Sequence, residues 1–290
     1  MMTPSGPRWA GEVRLVEDHL DDPLRWRKPK RVFVNSMSDL FHEALPDDAI
    51  DAVFARMIAS PRHTFQILTK RPARMRAYLT SPFRNLGWRR QIERLGEYKW
   101  AWLGRVSRNI ETDVFRHIWL GVSVEDQATT DERVPLLMET PASVRFVSAE
   151  PLLGLVDLSR WLGGASEAIH DHGSPAEVAG YDPPELDWLI CGGESGPYAR
   201  PMHPYWARAL RDQCLAADVP FHFKQWGAWA PPDAFDSRGR SYLPHLFPEL
   251  GAWAGNGIYV YKCGAYRAGR LLDGRVWDQF PGDGMQDQEV

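Results

Sequence analysis

Polar side chains able to carry charge recur in this sequence at one kind of place, directly after a short apolar, β-branched run. Asn35, Ser36 and Asp39 follow Arg31–Val34, Lys70 and Arg71 follow Thr64–Leu68, and Glu125 follows Ile118–Val122. Glu150 follows Val144–Val147, Gly192, Gly193 and Glu194 follow Leu186–Cys191, and Lys224 and Trp226 follow Val219–Phe223. Carboxylates and cations gathered at one mouth suit a zwitterionic or phosphorylated ligand, because each charge meets its complement. The same groups can instead tie a rim together as a charge network, and the residue types leave both readings open.

Gly192-Gly-Glu-Ser-Gly196 is the sharpest single element. Glycines directly after a strand let backbone approach a ligand closely, and the Glu194 carboxylate can accept from an ammonium or from hydroxyls. A bare strand-to-helix bend would look the same, and the G-x-G-x-x-G dinucleotide fingerprint is absent. His42, His203 and His222 lie on different units without the i, i+4 spacing of a zinc helix, so a core or rim role is expected and no metal site. Cys214 falls on an apolar helix stripe, and Cys191 stands at a strand exit, where it either packs or faces the mouth. Trp226, Trp229 and Trp253 either stack on a ring or form an apolar lid.

The elements that must position these residues alternate strand and helix. Six apolar runs, buried enough to lack strict alternation, are the expected strands. Pro46-Asp47-Asp48 opens a helix whose Ile50, Val53, Phe54, Met57 and Ile58 repeat at core-facing spacing. Thr130 opens a second, with Val134, Leu137 and Met138 inward, and Pro204 a third, with Trp206, Leu210 and Cys214 on one side. Such alternation implies parallel pairing, and six units predict an α/β fold, a partial TIM-like (βα) barrel over residues 1–228. A helical insertion is expected over 81–116, a mobile loop over 163–184, and an irregular C-terminal cap and tail over 229–290, closed by Ile258–Tyr261 and frayed after Pro281.

Composition excludes some classes. No stretch of eighteen apolar residues is present, so no membrane contact is expected, and the first residues lack a signal-peptide form. Three scattered cysteines fit no disulfide framework, which points to a reducing cytoplasm. The net charge of −4 hides a split: Arg62–Arg116 holds thirteen Lys/Arg against four Asp/Glu, whereas His117–Val290 holds thirteen against twenty-four. A basic stretch of this kind marks either a nucleic-acid face or a solvated helical surface.

Taken together, Pro23–Trp26, Val32–His42, Gln66–Pro72, Trp119–Glu125, Phe146–Gly154, Gly192–Gly196, Arg200–His203, Phe223–Gly227 and Ala268–Arg275 resemble a family of phage and mobile-element proteins of unassigned function. That family is similar to a diverged radical S-adenosylmethionine (radical SAM) barrel, so the resemblance implies a radical-SAM-like fold. It also implies a [4Fe–4S] cluster on three cysteines ending in C-x-x-C, S-adenosylmethionine as cofactor, and a separate three-Cys-motif partner protein. Met1–Leu24 contains no cysteine, so either the start lies too far downstream or the copy is truncated, and the chain as given is expected to be catalytically incomplete, with no cofactor. Strand-end position and the family motifs together assign Glu150, Glu194 and Lys224 as catalytic, and Asn35, Ser36, Asp39, Gly192 and Gly193 as cofactor-binding. Lys70, Arg71, Glu125 and Trp226 are the expected substrate contacts. The alternative is a non-enzymatic phage or mobile-element protein that binds nucleic acid through the basic 62–116 region.

Overall fold

A computed structural model describes residues 13–96, 115–163, 185–234, 243–247 and 257–282, together with the backbone of 2–3 and 6–7. Trp253, residues 97–114 of the expected helical insertion, the expected loop from residue 164 to 184, and the tail from 283 lie outside the described residues. The protein is mixed α/β and divides into two compact units, residues 1–119 with 140–143, and residues 120–139 with 144–290.

In the first unit, β1 (Arg31–Val34) and β2 (Thr64–Thr69) pair in parallel, with Arg31 opposite Thr64 and Val34 opposite Ile67. Helix α1 (Asp47–Ile58) joins them, starting after Pro46 with Asp47 and Asp48 in its first turn, where carboxylates favour the exposed N–H groups. Ile50, Phe54, Met57 and Ile58 are buried as their spacing predicts, and so are Ala49, Ala52 and Ala55. This second face is covered because α2 (Pro72–Thr80) and α3 (Arg84–Glu93) fold back, stacking Trp88 on Phe54 with ring centroids 5.3 Å apart. Helix α3 lies within the expected helical insertion, whose residues 97–114 fall outside the described residues. His117 closes the unit by donating from Nε2 to the Met57 carbonyl at the end of α1, 2.9 Å.

In the second unit, β3 (Ile118–Val124), β4 (Arg145–Ala149), β5 (Trp188–Gly192) and β6 (Phe221–Gln225) are parallel neighbours in chain order. Every residue of β3 and β5 is buried, which is why these strands read as continuous apolar runs. Strands extend a residue or two past their apolar runs, because small residues such as Ser123, Ser148 and Gly192 continue the ladder. Helix α4 (Gln127–Met138) starts three residues before the expected Thr130. Asp126 caps it by accepting from the Thr129 amide at 2.9 Å, and Thr130 turns inward, donating to the Asp126 carbonyl. Helix α5 (Pro204–Ala216) starts as its proline predicts, capped by His203, whose Nδ1 accepts from the Tyr205 amide.

The C-terminal region is more regular than its composition suggests. β7 (Trp229–Ala230), β8 (Leu243–Phe247) and β9 (Ile258–Lys262) form an antiparallel sheet in the order β8-β9-β7. β10 (Leu271–Leu272) and β11 (Arg275–Val276) form a hairpin whose two loop residues, Asp273 and Gly274, have φ of 54° and 74°, the paired left-handed conformation that tight hairpins require. Arg208 and Arg211 of α5 clamp the Asp273 carboxylate. Beyond the hairpin, the Trp277 carbonyl accepts from the Phe223 amide and the Gln279 side chain from the Phe221 amide, so the free edge of β6 is paired rather than left open. Among the described residues, no helix is long and apolar enough to cross a membrane.

His222 on β6 packs between Trp188 and Phe280. Burial first, then the nearby Arg270, lowers its pKa from 6.5 to about 4. The fold thus favours neutral imidazole, and the stability it contributes is complete above about pH 6.5 and is lost as pH falls toward 4. His222→Phe keeps the ring contacts, so denaturant unfolding measured across this window is expected to show a flatter acid-side decline in the variant.

Candidate functional site

The polar strand ends of the first unit are drawn together by one carboxylate. Asn35 turns the chain at the end of β1 with φ of 61°, Ser36 follows in that turn, and Asp39 reaches across to the end of β2. Its Oδ1 accepts from the Phe41 amide (2.9 Å) and the Thr69 hydroxyl (2.7 Å), and its Oδ2 from the Lys70 amide (3.0 Å) and Arg71 (3.1 Å). Arg71 also donates from Nε to both oxygens of Glu43 at 2.8 Å. Asp39 therefore fastens the segment after β1 to the exit of β2, engaging Thr69, the Lys70 amide and the Arg71 guanidinium.

In the second unit the exits of β3 to β6 carry three ion pairs and one close backbone junction. Glu125 accepts from Arg133 at 3.0 Å, both side chains being largely buried. Glu150 follows β4, and its Oε2 accepts from the Ser148 hydroxyl (3.0 Å) and Lys224 Nζ (3.3 Å). Among the described residues no donor reaches its Oε1, which lies where a Cβ on Gly192 would sit, 2.4 Å away. Only glycine at 192 lets this carboxyl group occupy its place. The Glu150 side chain is 17% exposed and that of Lys224 57%, so solvent reaches the pair from the lysine side.

The junction explains the remaining glycines. A Cβ on Gly193 would lie 2.0 Å from the Trp226 carbonyl oxygen, and one on Gly227, at φ 81°, would lie 2.3 Å from the Glu194 carbonyl oxygen. The two chains touch backbone to backbone, joined by Gly193 N–H to the Gln225 carbonyl (3.0 Å) and Ala228 N–H to the Glu194 carbonyl (2.7 Å). Glu194 then projects its carboxylate to Arg200, accepting from Nε at 2.8 Å and Nη2 at 3.0 Å, a bidentate pair that holds the Glu194 pKa below the ordinary carboxylate range. Trp226 is 1% exposed and donates from Nε1 to the Leu271 carbonyl, placing its indole within the core of the unit.

The structure thus brings Glu150, Lys224 and Gly192 into contact, and sets Glu194 beside them in sequence with its own arginine. Three participants escaped sequence reasoning. Ser148 shares the strand face of Glu150 at period two, a signal that was available. Arg133 and Arg200 reach Glu125 and Glu194 through a helix turn and a loop, and no periodicity marks them. Of the histidines, His203 is a cap and His42 accepts the Ala44 amide within its own loop. Among the described residues, no group of three or more His, Cys, Asp or Glu side chains is placed to hold a metal ion. The thiols do not fit a [4Fe–4S] cluster either. Cys191 and Cys214 are fully buried, burial pushing Cys214 up to about 12, and Cys263, following β9, is buried as well.

Fold and site define a mixed α/β protein with parallel strands whose C-terminal ends carry paired charges. Comparison with protein families matches residues 2–281 to the family described as protein of unknown function (DUF5131), and the chain belongs to that family. Neither the curated proteins nor the solved structures contain a match.

The junction yields a direct test. Gly193→Ala drives a Cβ against backbone that cannot rotate away, so equilibrium unfolding is expected to show a loss of about 1–3 kcal/mol. A change at Gly196, where an added Cβ meets nothing within 4 Å but φ is 111°, isolates the purely conformational cost.

Proposed function

We propose that the exits of β4, β5 and β6 form the ligand site of a TIM-like, radical-SAM-like barrel, and that the ligand is a small zwitterion. The observation that carries this reading is the half-satisfied Glu150 carboxylate. Its Oε2 is fixed by Ser148 and Lys224, while its Oε1 has no donor among the described residues. A carboxylate so placed, 17% exposed, is completed by an incoming ammonium. Lys224, more than half exposed, is free on its outer side to meet a carboxylate of the same ligand. An α-amino acid end group satisfies both, and the methionine end of S-adenosylmethionine is the first candidate. Parallel strands in chain order with their polar groups at the C-terminal ends support the barrel assignment.

In this reading Glu150 and Lys224 are the ligand-contacting groups. Glu194 contributes through the geometry it shares with Arg200, and Gly192 and Gly193 supply the close approach. Asp39 is a positioning group, since four donors of its own unit already use its carboxylate. The buried free thiols are consistent with residence in the reducing cytoplasm. Because the thiols present do not fit a cluster, no redox step is assigned to them.

Isothermal titration of the full chain with S-adenosylmethionine and with methionine checks the proposal. Saturable binding of S-adenosylmethionine is expected, weakened about ten-fold or more in Glu150→Gln and in Lys224→Met, the worth of one charge-assisted hydrogen bond. Asp212→Ala, a surface change on α5, is expected to leave it intact. Absence of binding by either ligand, or equal binding by the double variant Glu150→Gln/Lys224→Met, would overturn the assignment.

A further inference from the structure

The first unit holds a second carboxylate that its own fold leaves half-satisfied. Asp51 on α1 is 7% exposed. Trp88 Nε1 donates to the Tyr78 hydroxyl at 2.8 Å, and because an indole N–H can only donate, the Tyr78 proton is directed to Asp51 Oδ1, 2.6 Å away. This buried relay fixes one oxygen of the carboxylate. Its Oδ2 has no donor among the described residues and occupies the space that a Cβ on Gly87 would fill, 2.0 Å away. A cavity of about 260 Å³ opens there, its lining including Asp47, Asp51, Phe83, Arg84, Leu86 and Arg90.

We propose that this cavity is a binding site for a small organic cation, a guanidinium or alkylammonium group on an apolar stem, which seats its charge on Asp51 Oδ2. Leaving a buried carboxylate oxygen without a donor costs stability, and a cationic head supplies the missing hydrogen bond. Phe83 and Leu86 stand at the rim, 72% and 52% exposed, and are the apolar groups that a stem would cover. Size suits a fragment rather than a nucleotide, since drug-sized ligands occupy cavities of roughly 300–1,000 Å³. Arg90, on the same wall, disfavours multivalent cations and offers a contact to a carboxylate carried at the far end of the stem. Asp47 is already paired with Arg74 at 3.0 Å and adds only outer negative field. Burial, together with the neighbouring Asp48 and Asp47, raises the Asp51 pKa, against the Tyr78 hydrogen bond and Arg90, so a bound cation relieves an existing strain.

The test is titration of the full chain with butylguanidinium and, separately, with N-acetylarginine, following the indole N–H resonance of Trp88, two hydrogen bonds from the Asp51 carboxylate. A saturable shift is expected, weakened about ten-fold or more by Asp51→Asn. Leu86→Ala, at an exposed position that the fold does not need, is expected to weaken it as well, and Asp212→Ala, on α5 of the other unit, to leave it unchanged. Tighter binding of N-acetylarginine would assign the site to a carboxylate-bearing ligand such as an arginine-ended peptide. Tighter binding of butylguanidinium would assign it to a simple cation, and either supports the proposal. No saturable shift with either probe, or a shift unaltered in both Asp51→Asn and Leu86→Ala, would overturn it.

Discussion

The placement of the candidate site rests on one close contact, the backbone-to-backbone junction of Gly193–Glu194 with Trp226–Gly227. Two hydrogen bonds and two approaches that no side chain would permit bind the exits of β5 and β6 into a single surface. Lys224 leaves that surface from one strand and Glu194 from the other. Leu152 N–H, just beyond Glu150, donates to the Gly192 carbonyl and fixes the β4 exit to the same junction. The C-terminal segment reinforces it from behind, with Trp226 N–H donating to the Gly269 carbonyl and its indole to that of Leu271. A site carried on backbone contacts of this kind is stiff, which is what discrimination between similar small ligands needs.

A common device serves both candidate sites. In each, one carboxylate oxygen lies where a Cβ on the neighbouring glycine would sit, with no donor among the described residues, while a hydroxyl, Ser148 or Tyr78, holds the other. Burying a carboxylate with one oxygen unserved works against folding, and the hydroxyl and the charged neighbours only partly offset that cost. The other carboxylates show the contrast. Asp39, Glu125, Asp126, Glu194 and Asp273 are all engaged by donors of their own unit, and they read as fasteners of loops and helices.

Much of this was legible from sequence where burial is strong and local. Helix α1 and helix α5 start where Pro46 and Pro204 place them, and the parallel strands of each unit coincide with apolar runs, most fully in β3 and β5, which are buried on both faces. Gly192 and Gly193 were recognisable as points of close approach, although what approaches them was not, and Gly227 carried no such signal. Partners joined through loops stayed hidden: Arg71 with Glu43, Arg200 with Glu194, and Trp226 with Leu271 depend on segments that carry no period. The start of α4 was misplaced for a similar reason, since Asp126 and Thr129 form a capping box without the usual Glu or Gln at its third position. The Asp51 relay was invisible, because its three members come from three helices and only packing joins them.

The most direct test of the central claim is backbone amide mapping of the full chain by NMR as S-adenosylmethionine is added. If the junction carries the site, shifts concentrate at Gly192–Gly196 and Lys224–Ala228 and at the amides after Glu150, while those of α1 and α3 stay in place. Shifts scattered over the surface, or gathered away from the exits of β4, β5 and β6, would contradict it.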